Sequence, residues 1–204
     1  MTSRCAASPA LRRAASFVLA AALMAACGSS PEPVYFALGP SPGTIHALAL
    51  GPVEIREPGI AGYLDHSELL ARSSGNELRL ARAERWGEPL GHMIGRVITE
   101  DLTARLQGTV VFDETSGISL QPVTLVELAI QRFDSGAGGQ VILRAQVAVH
   151  DASGSRPPIV RTITRSALAA STTRGTVTAM SALLGGLSDE IANMLVARSQ
   201  PLAP

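Results

Sequence analysis

Cys27 is the residue whose surroundings point most clearly to a chemical modification. A basic start with Arg4, Arg12 and Arg13 is followed by an apolar stretch over residues 14–24 and by two alanines directly before the cysteine. This is the layout of an export signal, with a positive end, a short apolar core and a cleavage site of small residues. The apolar stretch is about half of the ~20 residues that span a bilayer, so we predict that this segment is removed.

The sequence LMAACG around the cysteine resembles a bacterial lipobox, in which the cysteine receives a diacylglyceryl thioether and a peptidase cleaves directly before it. Ala25 and Ala26 fit the cleavage site because the peptidase must reach the backbone there, while Met24 stands where leucine is usual. We predict lipidation of Cys27; the alternative is an ordinary secretory signal with an incidental cysteine. Several acyl chains give stable attachment, and Gly28 favours the outer membrane under the enterobacterial sorting rule.

Length and charge limit the classes of protein that remain. Cleavage before Cys27 leaves 178 of the 204 residues and removes three arginines and no acids, which takes the net charge from +0 to −3. That length suits one domain with a sizeable core, and the charge argues against a nucleic-acid partner, which needs a basic surface. The other cysteine, Cys5, lies in the predicted signal, so no disulfide is expected. The predicted parts are a signal (1–26), a tether (27–33), a domain (34–199) and a loose tail (200–204).

Catalytic and cofactor-binding groups are sparse in this sequence. All 17 basic residues are arginine, and without lysine the chain offers neither a Walker-type phosphate loop nor a Schiff base. We therefore expect no nucleotide site here and assign any ATPase to another subunit. There is no G-x-S-x-G nucleophile elbow, and the four histidines lack the spacing of a metal site: His46, His66, His92 and His150. We predict a non-enzymatic protein without cofactor or metal; an envelope hydrolase is the weakest alternative.

Periodicity in the sequence predicts several strands and two long helices. Alternation of apolar and polar residues predicts strands over 123–133, 140–151 and 159–168, a hairpin over 68–81, and a loop DSGAGG at 134–139. Shorter strands are predicted over 34–38, 45–55 and 109–112, and apolar stripes at helical spacing predict helices over 87–108 and 173–199. Two helices cannot cover both faces of such a sheet. We therefore predict an α+β two-layer sandwich, with a largely antiparallel sheet and two long amphipathic helices on one face.

Two aromatic residues stand out among polar neighbours. Tyr63 and Leu64 lie in a polar loop, and the only tryptophan, Trp86, comes just before the first predicted helix. Aromatic side chains on loops are frequent in protein interfaces because they bury much area at low entropic cost. The alternative is that Trp86 packs within the core of its own domain.

These residues belong to a longer pattern within residues 51–106. The pattern is a tyrosine-leucine-aspartate, a strand ending near R-x-x-x-N-x-L, and a tryptophan followed by x-E-P-L at the start of a helix. Here it consists of Tyr63, Leu64, Asp65, Arg72, Asn76, Leu78, Trp86, Glu88, Pro89 and Leu90. The pattern resembles the ABC-type transport auxiliary lipoprotein family, with a looser likeness over residues 34–198. His66 and Ser67 stand where that family usually has arginine and proline.

The resemblance implies a non-enzymatic subunit of a trans-envelope lipid transport system. Its partners would be an MCE-domain protein, which forms a periplasmic lipid conduit, and inner-membrane transporter subunits. The protein would be lipid-anchored to the outer membrane, face the periplasm and dock or receive the conduit, with Tyr63, Leu64, Asp65, Asn76 and Trp86 as docking candidates. A homo-oligomeric ring is a further expectation, since a tubular partner has rotational symmetry. The alternative is a periplasmic lipid-binding carrier, which needs an apolar cavity between helices and sheet.

Overall fold

The computed structural model describes residues 32–73 and 77–200. These residues form eleven strands: β1 (Val34–Phe36), β2 (His46–Ala47), β3 (Val53–Ile55), β4 (Gly59–Ile60), β5 (Glu68–Arg72), β6 (Leu78–Trp86), β7 (Leu106–Gln107), β8 (Val111–Asp113), β9 (Thr124–Ser135), β10 (Gln140–Asp151) and β11 (Ile159–Leu168). They also form helices α1 (Leu90–Arg105) and α2 (Thr173–Ser199) and two short 3-10 turns, Gly62–Leu64 and Ala137–Gly139. No helix in the described part of the chain is long and apolar enough to cross a membrane.

Most strands belong to one sheet in the order β1-β6-β5-β9-β10-β11, with β3 and β4 beside β9 and β8 beside β3. The α+β class with two helices is confirmed. The largely antiparallel two-layer sandwich is not confirmed, because five of the eight pairings among the described strands of this sheet are parallel. One parallel pairing joins β5 to β9 at Ala71 and Ser135, and the other four involve strands β1, β3, β4 and β8, which are two or three residues long. Such strands are too short to show alternation, and only long crossovers bring them into parallel register.

The core lies between one face of the sheet and the two helices. Along β10 every second side chain is buried, from Val141 to Val149, as the alternation predicts. The helical stripes also face the core, with buried side chains that include Leu90, Ile94, Val97, Ile98 and Leu102 from α1 and Val177, Met180, Leu184, Leu187, Ile191 and Leu195 from α2. The predicted faces of the two helices are therefore confirmed.

Several element boundaries differ from the sequence prediction, including the end of α1 and the strand predicted before it. Helix α1 ends at Arg105 and not at Gly108, because Leu106 and Gln107 leave the helix to pair with His46 and Ala47. The strand predicted over 45–55 is two strands, β2 and β3, separated by residues 48–52, which include Gly51 and Pro52. A Cβ on Gly51 would lie 2.5 Å from the Val123 side chain, so a glycine is needed where these segments meet.

Helix α2 runs without interruption through Gly185 and Gly186. A Cβ on Gly185 would lie 2.5 Å from the Cβ of Ser41, so this glycine allows a close approach between α2 and the loop before β2. The cost of a glycine inside a helix, about 1 kcal/mol relative to alanine, is offset here because the loop before β2 can approach the helix backbone. This close approach lies beside a buried cluster of charged residues around Arg105.

Candidate site around Asp134

Asp134 lies near the end of β9 and is fully buried, although it carries a carboxylate. The Tyr63 hydroxyl donates to its Oδ2 over 2.8 Å, and Arg72 Nη2 donates to the same oxygen over 3.2 Å. Arg132 Nε donates to the other oxygen, Oδ1, over 3.0 Å. We call these four residues the Asp134 cluster. Both carboxylate oxygens are occupied by charged or strong donors, which is how a buried charge is tolerated.

A β-bulge sets the orientation of Asp134. The register between β9 and β10 shifts where Arg144 pairs with Arg132 but Ala145 pairs with Ile130, which leaves Gln131 as the extra residue. Beyond the bulge Phe133 takes the inward position, so Arg132 and Asp134 lie on the opposite face of the sheet. The sequence reading placed Asp134 in the hairpin loop, whereas β9 continues to Ser135. In the sequence, the alternation of apolar and polar residues stops after Ile130, and this change indicates the bulge.

The segment after β4 covers this carboxylate. Strand β4 runs parallel to β9, the turn Gly62–Leu64 follows, and β5 then returns to β9 where Ala71 pairs with Ser135. The Tyr63 ring therefore reaches over the sheet face, and the Arg72 guanidinium sits 5.4 Å from its centroid, within cation–π range. Burial raises the pKa of the Tyr63 phenol above its usual value of 10.0, and the hydrogen bond to the Asp134 carboxylate raises it further.

The cluster is chemically suited to holding structure together. The Asp134 carboxylate is fully buried, and both its oxygens already accept hydrogen bonds from two arginines and a phenol, so it is not presented to a substrate. The described residues also contain no group of three or more histidine, cysteine, aspartate or glutamate side chains that could hold a metal ion. Tyr63 and Arg72 belong to the sequence pattern. Both of them contact Asp134, which does not belong to that pattern.

The other docking candidates have different environments. Leu64 and Trp86 are buried in the core, so their side chains do not offer a direct contact to a partner. Asp65 is exposed beside the turn that carries Tyr63. Asn76 and the predicted lipidation site Cys27 lie outside the described residues. The assignment of Leu64 and Trp86 to docking stays a prediction, and because both are buried, such a role would act through the turn and the end of β6.

Trp86 also lines a cavity of about 320 Å³ between the β5–β6 hairpin and the first turns of α2. The apolar part of its wall includes Leu69, Leu80 and Met180, and the start of α2 supplies a polar rim. On this rim the Thr173 hydroxyl donates to Glu84 over 2.6 Å. A cavity with an apolar floor and a few polar groups at its edge is typical of sites for small amphipathic molecules.

A second buried cluster joins the two helices, and sequence reasoning missed it. Arg105 Nε donates to Asp189 over 2.7 Å, its Nη1 pairs with Asp101 over 3.1 Å, and its Nη2 donates to the Gly185 carbonyl over 3.1 Å. Ser188 completes this Arg105 cluster by donating to Asp101 over 2.9 Å. Asp101 and Arg105 are four residues apart on α1, so an i,i+4 acid–base pair inside an apolar stripe was the available signal.

A third cluster ties the end of α2 to the loop between β10 and β11. Asp151 accepts from Arg198 Nε over 2.7 Å and from Arg156 Nε over 3.1 Å. Arg198 also donates to the Pro157 carbonyl over 2.9 Å, and Arg156 donates to the Arg198 carbonyl over 2.8 Å. The two arginines hold the pKa of the Asp151 carboxyl well below its usual value of 3.8, Arg198 contributing most.

The family model described as "ABC-type transport auxiliary lipoprotein component" matches residues 37–192. This chain belongs to that family. The match covers nearly all of the described fold, including the Asp134 and Arg105 clusters. Membership makes the protein a lipoprotein of an ABC transport system, as an auxiliary component of the transporter. No curated protein matches the sequence.

Two solved structures share the fold. One is the crystal structure of an uncharacterized protein, with a TM-score of 0.67 and 15% sequence identity, which covers 80% of this chain and 99% of the other. The second is protein XCC0632 from Xanthomonas campestris, with a TM-score of 0.59 and 13% identity over 81% of this chain and 97% of the other. At these identities the likeness concerns the fold alone.

Proposed function

We propose that this family member is a non-enzymatic outer-membrane lipoprotein that docks or receives the periplasmic conduit of an MCE-type lipid transport system. The match of the auxiliary lipoprotein family over residues 37–192 carries the proposal. The lipobox around Cys27 supplies the membrane anchor, and Gly28 favours the outer membrane. In this role the protein would face the periplasm and work with inner-membrane subunits that supply the energy.

The docking surface in this proposal is the exposed part of the turn next to the Asp134 cluster. Asp65, His66 and Ser67 are exposed there, and the Tyr63–Asp134 hydrogen bond holds the turn in place. A rigid loop with exposed polar groups binds a partner at low entropic cost. Leu64 and Trp86 support this surface from the core.

The docking test is recovery of an MCE-domain protein with the detergent-extracted lipoprotein. Asp65→Arg reverses an exposed charge and should reduce recovery several-fold, whereas Glu100→Arg, an equal charge reversal on the exposed side of α1, should not. Mass measurement of the mature protein tests the anchor, which requires an acylated Cys27 at the N-terminus. Equal recovery with both variants would remove Asp65 from the interface, and an unmodified Cys27 would remove the anchor.

The proposal includes a homo-oligomeric ring. Within the described strands, β1 and β11 stand at the two ends of the order β1-β6-β5-β9-β10-β11, and β8 is a further edge beside β3. A contact between unlike edges is heterologous and gives a closed ring when the rotation closes. Light scattering of the detergent-free protein carrying Cys27→Ser gives the test, since a single-copy mass across micromolar concentrations would contradict the ring.

A periplasmic lipid carrier is the second candidate, favoured by the cavity next to Trp86. Its volume of about 320 Å³ is at the lower end for small-molecule sites, about 300–1,000 Å³, and suits one acyl chain better than a whole phospholipid. The Cys27→Ser protein should then retain phospholipid after purification, and Leu80→Arg at the cavity wall should abolish this. Lipid-free protein would exclude the carrier function.

A further inference from the structure

The cavity next to Trp86 has a buried end and an open end. Leu69, Trp86 and Met180 form the buried end, and all three belong to the hydrophobic core. The open end lies where Ala71 pairs with Arg79, and both of these residues are exposed and line the cavity. A cavity that runs from the core to the surface in this way suits a molecule that is apolar at one end and polar at the other.

The strand pairing places Arg79 on the face of the sheet that carries the core. Arg79 pairs with Ala71, and Ala71 pairs with Ser135. Ser135 follows Phe133, a core residue, by two positions on β9. Paired residues, and residues two apart on one strand, share a face of the sheet. The register between β5 and β6 shifts further along, which brings Trp86 to the same face although it follows Arg79 by an odd number of residues.

The two ends of the cavity carry opposite charges. At the open end Arg79 pairs with Glu77 over 3.1 Å, and both side chains are largely in water, 68% and 56% exposed. Nearer the buried end, two residues before Trp86, Glu84 accepts from the Thr173 hydroxyl over 2.6 Å. Because an exposed ion pair contributes little stability, a ligand anion can replace Glu77 beside Arg79. An anion at the other end would be repelled by Glu84.

We infer that this cavity binds a single-chain amphiphile with an anionic head, with the head beside Arg79 and the chain directed towards Trp86. The inference rests on the lipid-carrier candidate of the proposed function and names the class of lipid. The volume of about 320 Å³ is close to the smallest among small-molecule sites, so it holds one chain more readily than the two chains of a phospholipid. Arg79 precedes Trp86 by seven residues on β6, at most about 24 Å, a separation that suits a long acyl chain.

A carboxylate and a phosphate are the two heads that this chemistry admits. Arginine binds both through charge-assisted hydrogen bonds, and both occur on single-chain lipids, as fatty acids and as lysophospholipids. The two kinds of lipid share the same requirement for Arg79, so the experiment includes both.

Trp86 is the only tryptophan in the chain, so tryptophan fluorescence reports on this cavity alone. The protein is the Cys27→Ser chain without detergent, because detergent is itself an amphiphile. The probes are stearate brominated at mid-chain, a lysophosphatidylglycerol with the same brominated chain, and the corresponding uncharged alcohol, each below its critical micelle concentration. Bromine quenches tryptophan only at close range, so quenching requires the chain to lie beside Trp86.

We expect the brominated stearate or the lysophospholipid to reduce Trp86 fluorescence several-fold, and the one that binds more tightly identifies the source of the head. Arg79→Gln should raise the half-quenching concentration of the charged probes about tenfold, the loss expected for one charge-assisted hydrogen bond. It should leave the half-quenching concentration of the alcohol unchanged. The matched control is Arg161→Gln, which removes an exposed arginine of β11 outside the cavity wall and should change neither.

Quenching by the charged probes that Arg79→Gln does not weaken would overturn the anionic head. Absence of quenching by all three probes would overturn the single-chain ligand. Both failures are distinct from failure of the proposed function, because retained diacyl phospholipid would still support the carrier candidate and recovery of an MCE-domain protein would still support docking.

Discussion

In the Asp134 cluster the fully buried charge is the carboxylate, whereas in the Arg105 cluster the guanidinium is buried as well. The side chain of Asp134 is 0% exposed, but its partners Arg72 and Arg132 keep 24% and 31% of their side-chain surface in water. The side chains of Arg105 and Asp101 are 1% and 0% exposed, so that pair has no such access. Two clusters that both contain aspartate–arginine pairs therefore differ in how much solvation their members retain.

This difference in solvation determines how much stability is lost when one partner of a charged pair is removed. A charge that keeps contact with water recovers part of its hydration when it loses its partner, while a fully buried charge is left uncompensated. Truncation of a buried pair typically costs about 3–5 kcal/mol, and that of an exposed pair about 0–1 kcal/mol. The Arg105 cluster should therefore be the more sensitive of the two.

Arg105→Leu should produce the largest loss of stability among the changes considered. It leaves the buried Asp101 without its guanidinium and the Gly185 carbonyl without its donor, so we expect the free energy of unfolding to fall by about 3–5 kcal/mol. Urea unfolding followed by circular dichroism measures it. The matched control is Arg96→Leu on the same helix, where the pairs with Glu88 and Glu100 are exposed and the cost should stay below about 1 kcal/mol. Equal losses would contradict the role of burial.

Asp134→Ala should cost less, about 1–3 kcal/mol. It leaves Arg72 and Arg132 without their shared acceptor, but both retain access to water. Glu77→Ala is the control, because it removes the acid of an exposed pair with Arg79 and should change stability by no more than about 0.5 kcal/mol. The comparison between the clusters fails if Asp134→Ala proves more destabilising than Arg105→Leu.

The sequence predicts the long strands and helices of the fold well. The alternation in β10 and the apolar stripes of α1 and α2 are strong periodic signals because each element has one covered face. The parallel pairings of β1, β3, β4 and β8 escape prediction, since two or three residues carry no period and their partners are set by tertiary contacts. Likewise, a one-residue bulge at Gln131 shifts which face Asp134 occupies, and alternation read from the sequence assumes no such shift.

Prediction of the candidate site was partial for a related reason. The sequence pattern contains Tyr63 and Arg72 but not Asp134, because the three are brought together only by the return of β5 to β9. Trp86 was open to two interpretations, interface or core, and the structure buries it in the core. A residue type at a loop boundary indicates only that a large apolar side chain is present; which surface covers it depends on distant parts of the chain.

The cluster that Asp151 forms with Arg156 and Arg198 differs from the other two clusters, because its contribution to stability should depend on pH. Arg198 and Arg156 depress the pKa of Asp151 in the folded state below its usual value of 3.8. A depressed carboxyl pKa stabilises the fold above the unfolded-state pKa of about 3.9, and this contribution is lost as pH falls below that value. We expect the free energy of unfolding to decrease between about pH 5 and pH 2, with a flatter profile for Asp151→Asn.

Thermal unfolding over that pH range measures the effect. At pH 7 the Asp151→Asn protein should be less stable than the wild type, and the difference should narrow as the pH falls toward 2. Asp65→Asn serves as control because Asp65 is exposed, and its profile should parallel that of the wild type. Parallel profiles for Asp151→Asn and the wild type would show that this carboxylate contributes no pH-dependent stability.

Tyr63→Phe should give the smallest effect, because Asp134 keeps both arginines when the hydroxyl is lost. We expect a cost of about 0.5–1.5 kcal/mol, the usual net value of one hydrogen bond. The ultraviolet titration difference between wild type and variant isolates the Tyr63 phenol, which should ionise above its usual pKa of 10.0 because it is partly buried and donates to a carboxylate. Tyr35→Phe at an exposed position should leave stability unchanged. If Tyr63→Phe costs as much as Asp134→Ala, the phenol and not the arginine pair carries the Asp134 cluster, and the partial hydration of Arg72 and Arg132 no longer explains its tolerance.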